Sequence, residues 1–121
     1  MSYEISIKSD DKYTARIDRR KLYEYISTLP NIVHSDADHF VFRDPNVGTY
    51  MEIDLELVSE EGDSLDIRVT QERNCVRIHI PYYFLESTGA QIYEICFQIA
   101  DRIGWKVYDE QLGNYLSRNT T

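Results

Sequence analysis

Two histidines and two aspartates lie close together in residues 34–39, and these residue types can bind metal ions. Imidazole nitrogens combined with carboxylate oxygens suit Zn²⁺ and other transition metals. The spacing matches no zinc signature, however, and aspartate and serine also favour turns because their side chains bond to nearby backbone. The segment therefore predicts a polar loop, and a metal-dependent hydrolase that uses this loop is one alternative for the function. The candidate metal ligands are His34, Asp36, Asp38 and His39.

A strict alternation of apolar and acidic residues in 51–57 predicts a β-strand with one buried and one wet face. The carboxylates of Glu52, Asp54 and Glu56 share the wet face. Same-face side chains two residues apart on a strand lie about 6.6–7 Å apart, so this row spreads out instead of converging on one cation. The row therefore suits the docking of a cationic partner better than Mg²⁺ or Ca²⁺, although a simple solvated sheet face gives the same pattern.

Further acids follow this strand in a predicted loop, where no neighbouring strand can neutralise them. Residues 52–66 contain seven acids and no Lys, Arg or His. If a basic partner binds, the loop acids are the first place to look for its binding site. These loop acids are Glu60, Glu61 and Asp63.

A basic cluster lies at the start of the first predicted helix and consists of Arg16, Arg19, Arg20 and Lys21. The free N–H groups of a helix N-terminus attract anions, so Arg16, Arg19 and Arg20 are candidates for anion binding. A small-anion or ligand sensor is accordingly the second alternative for the function. Solvated surface cations would give the same cluster, since the preceding loop is not glycine-rich.

No residue is predicted to be catalytic, and no cofactor is expected, because the sequence lacks the common nucleophile, phosphate-binding and zinc-protease motifs. Cys75 and His79 lie four residues apart on a predicted strand, about 13 Å, which is too far for a catalytic pair. Cys96 lies in the apolar stripe of a predicted helix and is interpreted as a core residue. Two cysteines without a CxxC pair favour a reducing, cytoplasmic location.

Periodicity and turn residues predict the element order β-α-β-β-β-β-α-β. Capping residues place the helices at Asp18–Leu29 and Thr88–Ile103, with Gly104 as a left-handed C-cap. The alternating runs 49–58, 65–69 and 75–80 are joined by short polar turns and predict an antiparallel meander. The remaining strands are predicted at 3–8, with 13–17 as a second arm, and at 40–43 and 106–108.

Two helices with one apolar stripe each must cover the apolar face of this sheet. The prediction is an α+β two-layer sandwich with a mainly antiparallel sheet and both helices on one face. In architecture it resembles an elaborated ferredoxin-like sandwich, a superfold that hosts many unrelated functions. Residues 1–115 are expected to form a single domain, and residues 116–121 a flexible polar tail.

The chain has 121 residues and a net charge of −8, and this charge shapes the expected partners. An acidic surface disfavours nucleic acid, and no apolar run is long enough to span a membrane. We expect a small acidic, tyrosine-rich, non-enzymatic module that binds a basic protein, for example an inhibitor or immunity-type protein. Tyr82 and Tyr83 would serve as interface anchors if they are exposed; filling of the core is the other interpretation.

Overall fold

The computed structural model describes residues 2–44, 48–81 and 85–117, which form an α+β fold with a mostly antiparallel sheet. Helix α1 spans Arg19–Ile26, helix α2 spans Leu85–Ile103, and a single 3-10 turn spans Ile67–Val69. The strands are β1 (Ser2–Lys8), β2 (Ile17–Asp18), β3 (Ile32–Ser35), β4 (His39–Asp44), β5 (Gly48–Glu56), β6 (Glu72–Arg73), β7 (Cys75–Pro81), β8 (Lys106–Asp109) and β9 (Asn114–Leu116).

The main sheet of the described ranges has seven strands in the order β3-β4-β5-β7-β1-β8-β9, and every neighbouring pair is antiparallel. The first strand of the chain therefore lies inside the sheet, between β7 and β8. The long strands β5 and β7 pair directly, with Ile53 opposite Ile78. Strands β2 and β6 form a separate two-stranded ribbon.

One face of the sheet and both helices share a single apolar core, which confirms the predicted pattern of burial. Period-two alternation sends one side of each strand inward, and helix α1 adds Leu22 and Ile26. Helix α2 contributes the predicted stripe that contains Ile92, Cys96 and Ile99. The buried sheet residues are Ile5, Ile7, Phe40, Phe42, Met51, Ile53, Leu55, Val76, Ile78, Ile80 and Val107.

The ends of the helices agree with the sequence at two of four positions. Asp18 caps α1, because its carboxylate accepts a hydrogen bond of 2.7 Å from the backbone N–H of Arg20. Gly104 follows α2 with a φ of 74°, the left-handed conformation predicted for it. Helix α1 ends at Ile26, before the predicted Leu29, and α2 begins at Leu85, before the predicted Thr88.

The predicted strand at residues 65–69 is wrong, and so is the meander that depended on it. Strand β5 has β4 on one side and β7 on the other, so neither edge is free to pair with this segment. Residues 57–65 instead fold back on themselves, with a hydrogen bond of 2.8 Å from the N–H of Leu65 to the carbonyl of Leu57. Asp66 then caps the 3-10 turn through the N–H of Arg68. Asp66 and Arg68 therefore do not lie on the sheet.

Two edge strands were missed by the sequence prediction. Strand β3 occupies residues 32–35, for which the sequence predicts no strand, and it pairs with β4. Strand β9 pairs with β8 and includes Leu116, which packs against the core although the predicted tail began there. Both segments are at most four residues long. Such short strands give no clear periodicity, so only the pairing partner reveals them.

The connection between β5 and β7 is fastened to the rest of the fold by two buried polar side chains. Asn74 donates to the carbonyls of Tyr13 and Val58 and accepts from the N–H of Val58, at 2.8–3.2 Å. Arg73 donates to the carboxylate of Asp38 at 3.0 Å and to several backbone carbonyls. Buried polar groups need such partners, and here they hold an irregular segment beside the sheet.

Candidate functional site

The sheet face that points away from the helices, which we call the outer face, carries a cluster of ionisable side chains from four adjacent strands. Register brings these side chains together: His39 on β4 lies opposite Asp54 on β5, and His79 on β7 lies between Glu52 on β5 and Glu4 on β1. Alternation directs all of them to the same side. We call the set the outer-face cluster, and its members are Glu4, His39, Glu52, Asp54, Glu56, Arg77 and His79.

Each histidine of the cluster contacts two carboxylates, one through each ring nitrogen. His39 Nδ1 lies 2.6 Å from Asp54 Oδ1, and its Nε2 lies 3.2 Å from Glu52 Oε1. His79 Nε2 lies 3.2 Å from Asp54 Oδ2, and its Nδ1 lies 3.2 Å from Glu4 Oε1. Asp54 therefore bridges the two imidazoles with its two oxygens.

These contacts shift the pKa values of the groups that make them. The hydrogen bond to Asp54 raises the pKa of His79, although burial opposes it. Burial lowers the pKa of His39, but the bond to Asp54 and the charges of Asp54 and Glu52 together outweigh burial and raise it. Burial also works against ionisation of Asp54, yet the two histidines hold its pKa below the usual value. Asp54 is therefore ionised near neutral pH.

Arg77 supplies the permanent positive charge of the cluster. Its Nη2 lies 3.5 Å from Glu56 Oε1 and its Nη1 lies 4.0 Å from Glu4 Oε2. Arg77 Nε is buried and has no hydrogen-bond partner among the described residues. Burial raises the pKa of Glu56, and the nearby Arg77 only partly offsets this effect.

A groove of about 260 Å³ opens beside the cluster, between the outer face and the connection from β5 to β7. Asp38, His39, Asp54 and Glu56 line it with polar groups. Apolar residues of that connection, Leu57, Leu65 and Ile67, also line it. The groove therefore combines carboxylates with an apolar wall, an arrangement that suits a side chain with an aliphatic stem and a cationic head.

The acids predicted from the sequence occupy two separate places. Glu52, Asp54 and Glu56 lie on the outer face, where Asp54 pairs with His79 and Glu56 pairs with Arg77. The loop acids lie apart from the sheet, in the turn between β5 and the 3-10 helix, and they are exposed; they are Glu60, Glu61 and Asp63. The predicted interface residues Tyr82 and Tyr83 lie outside the described residues.

The segment predicted to be a metal-binding loop forms a β-hairpin. His34 lies in β3 and His39 begins β4, while Asp36 accepts hydrogen bonds from the backbone N–H groups of Asp38 and His39 in the turn. The carboxylate of Asp38 bonds to Arg73, and the imidazole of His39 belongs to the outer-face cluster. The hairpin thus directs Asp38 and His39 to different partners.

The predicted basic cluster is divided by the fold. Arg16 lies 3.9 Å from the carboxylate of Glu72, and Arg19 donates to the backbone carbonyl of Ala37 at 2.7 Å. Arg20 is exposed on helix α1. Arg19 therefore connects α1 to the turn of the hairpin, and an anion site at these residues stays a prediction.

Both cysteines are buried free thiols. Cys96 belongs to the main core, as expected from its helical spacing. Cys75 packs with Tyr13 and Val58 in a small second core under the β5–β7 connection. Burial raises the pKa of the Cys75 thiol to about 11 and that of Cys96 to about 12. Both groups are therefore thiols at neutral pH, which makes them poor nucleophiles.

Two parts of the site are not predicted from the sequence. One is the presence of Glu4, and the other is the contact of His39 with Glu52 and Asp54. Glu4 alternates with Tyr3 and Ile5 in a way that marks it as outward-facing. Its neighbour His79, however, is 75 residues away, and only the strand order brings β1 beside β7. Local patterns indicate the face of a strand but not its partner.

No protein-family model matches this chain, and comparisons with curated proteins and with solved structures find no similar protein. The fold and the cluster together define an α+β protein with a charged, partly exposed sheet face. In the described part of the chain, no helix combines the length and hydropathy needed to cross a bilayer.

Proposed function

We propose that this protein is a small acidic, non-enzymatic binding module that docks a basic protein, in the manner of an inhibitor or immunity-type protein. The observation that carries the proposal is the groove beside the outer-face cluster, where Asp54 and Glu56 lie next to Leu65 and Ile67. An arginine or lysine side chain would place its stem on the apolar wall and its charge on the carboxylates. The net charge of −8 would attract such a partner before contact.

Exposed apolar residues beside the groove support docking of a protein over docking of a small cation. Leu65 is 43% exposed and Val69 is 76% exposed, and both lie on the connection from β5 to β7. Apolar side chains next to a charged site are typical of interface centres, where exclusion of water strengthens the polar contacts. In this proposal the loop acids form a rim, and Tyr82 and Tyr83 are further contact candidates.

Two finer features belong to the same proposal. The four strands β8-β1-β7-β5 lie in the order expected for a ferredoxin-like unit, with β3, β4 and β9 as additions at its edges; this order supports an elaborated ferredoxin-like architecture. The two buried cysteines are free thiols, as is usual in a reducing compartment, and this supports a cytoplasmic location.

Two triple variants with the same change of charge test the docking site. One carries Glu52→Gln, Asp54→Asn and Glu56→Gln on the outer face; the other carries Glu60→Gln, Glu61→Gln and Asp63→Asn in the loop. The probe is a fluorescent peptide of alternating arginine and leucine, measured by anisotropy in the presence of a chelator. We expect the outer-face variant to bind about tenfold more weakly than the loop variant, a difference of about 1.4 kcal/mol.

Controls separate a site from general attraction between charges. A peptide with citrulline in place of arginine keeps its shape but loses its charge, and it should not bind. Glu24 is exposed on helix α1, on the other side of the sheet, and Glu24→Gln should leave the affinity unchanged. Equal weakening by both triple variants would show that net charge alone holds the peptide, and the groove would then not be a docking site.

A further inference from the structure

We propose that Asp54, Glu56 and His79 form a binding site for one divalent transition-metal ion. One ligand atom from each residue, an imidazole nitrogen and two carboxylate oxygens, can be chosen so that all lie within 4.8 Å of one another. Small movements of these partly exposed side chains would bring the three atoms onto one ion, whose bonds to such ligands are about 2.0–2.2 Å long. The site goes beyond the docking function and does not depend on it.

The imidazole of His79 is already oriented as a ligand. Its Nδ1 lies 3.2 Å from Glu4 Oε1, so Glu4 can accept a ring hydrogen carried on Nδ1. Nε2 faces Asp54 Oδ2 at 3.2 Å in the hydrogen bond described above, and loss of the Nε2 proton leaves a neutral imidazole with its lone pair on that atom. A metal ion bound between Nε2 and the carboxylate would take the place of that proton. The link from carboxylate to histidine is also the usual support of a metal-binding imidazole.

The two carboxylates are oriented in the same way by neighbours that do not take part in the ligand set. His39 holds Oδ1 of Asp54 at 2.6 Å, which leaves Oδ2 directed toward His79. Arg77 holds Oε1 of Glu56 at 3.5 Å. Supporting contacts of this kind fix the direction of a ligand and favour one geometry. The set is therefore more than a group of exposed acids.

The donor set favours a transition metal over Mg²⁺ or Ca²⁺. Imidazole nitrogen suits Zn²⁺, Co²⁺ or Ni²⁺, whereas Ca²⁺ requires six to eight oxygens and Mg²⁺ a near-octahedral oxygen shell. The carboxylates of Glu4 and Glu52 add negative charge close by, while Arg77 adds one positive charge that works against the ion. Three protein ligands leave a fourth tetrahedral position for water.

Along a single strand, the acids Glu52, Asp54 and Glu56 are spaced too widely to converge on one ion. Asp54 and Glu56 lie on β5, but His79 lies on the neighbouring β7. The third ligand therefore comes from across the sheet, where adjacent strands are only about 4.8 Å apart. Spacing along one strand does not limit a site that two strands build.

Titration of the metal-free protein with Zn²⁺, followed by calorimetry, tests the site, and Co²⁺ gives a visible spectrum that reports tetrahedral coordination. We expect one ion per chain and a rise in Tm. His79→Gln should weaken binding by more than about tenfold, and Glu4→Gln by about tenfold, as is usual for a supporting carboxylate. Glu52→Gln removes the same charge as Glu4→Gln, but the carboxylate of Glu52 contacts His39 and not a ring nitrogen of His79, so this variant should have a clearly smaller effect.

Several results would overturn the site. It is wrong if Zn²⁺ leaves Tm and the heat signal unchanged, or if Zn²⁺ binds His79→Gln as well as the original chain. Loss of binding in His34→Ala but not in His79→Gln would instead place the metal on the 34–39 hairpin. Circular dichroism of each variant without metal shows whether it is folded. If His79→Gln does not fold, Asp54→Asn removes a different ligand of the same site and is tested in its place. Peptide docking is measured with a chelator, so failure of one proposal leaves the other untouched.

Discussion

At the scale of a single residue, the buried amide of Asn74 makes hydrogen bonds to backbone groups that a neighbouring strand would otherwise satisfy. Its side chain makes three hydrogen bonds to the backbone of Tyr13 and Val58, and the residue is 2% exposed. The amide thereby joins the segment that contains Tyr13, between β1 and β2, to the segment that contains Val58, between β5 and β6. Alanine at this position would leave three buried backbone groups without a partner.

We predict that Asn74→Ala lowers the free energy of unfolding by about 2–3 kcal/mol, because each buried group left unsatisfied costs about 1–3 kcal/mol and water can reach some of them after the change. Urea denaturation followed by circular dichroism gives the value. Asn114→Ala is the matched control, since Asn114 is exposed in β9. If both variants lose the same stability, the amide of Asn74 does not hold the two connections together.

At the scale of the elements, alternation predicted the strands that bury one face, and capping residues predicted both helices. Neither pattern predicted which strands are neighbours in the sheet. Residues 65–69 alternate as clearly as β7 does, yet they form no strand because β4 and β7 already occupy both edges of β5. His39 was assigned to a loop with Asp36 and Asp38, and the sheet places it against Asp54. Each of these differences arises from pairing between distant segments, which local sequence does not encode.

Two arginines of the connection from β5 to β7 each pair with an aspartate, and the two pairs differ in burial. We predict that only the buried pair contributes strongly to stability. Arg73 is 2% exposed and bonds to Asp38, whereas the exposed Arg68 bonds to Asp66 at the same distance of 3.0 Å. Arg73→Met should destabilise the fold by roughly 3–5 kcal/mol, because it leaves a partly buried carboxylate and several carbonyls without a donor. Arg68→Met should leave stability unchanged within error, since water screens the exposed pair.

Thermal and urea unfolding of the two methionine variants measure this difference. In Arg73→Met we also expect the peptide affinity to fall, because Leu57, Ser64, Leu65 and Ile67 of this connection line the groove. Asp38→Asn in the Arg73→Met background should recover part of the lost stability, since it removes the unpaired charge. Similar stabilities for Arg68→Met and Arg73→Met would mean that the buried pair does not fasten the connection.

At the scale of the whole molecule, the outer-face cluster couples folding to pH. His39 faces Asp54 and Glu52, and His79 faces Asp54 and Glu4, so both histidines have pKa values above their ordinary 6.5. A raised pKa stabilises the folded state fully below the unfolded value, and this contribution is lost as pH rises through the folded pKa. Asp54 has a lowered pKa and behaves in the opposite way: its contribution is lost as pH falls through that value.

The combined contribution of Asp54 and the two histidines to the stability of the metal-free protein should therefore be complete between the ordinary pKa of Asp54, 3.8, and that of histidine, 6.5, and it should fall as pH rises further. Glu56 acts in the same direction as the histidines, because its pKa is raised and its ionisation is disfavoured in the fold, whereas Arg77 carries its charge throughout this range. The test is Tm from about pH 5 to pH 8.5 with a chelator present. In His39→Gln/His79→Gln the fall above about pH 6 should become much smaller, because no imidazole of the cluster is left to release its proton. An unchanged fall in that double variant would mean that self-repulsion of the acidic surface, and not the imidazoles of the sheet, sets the pH dependence.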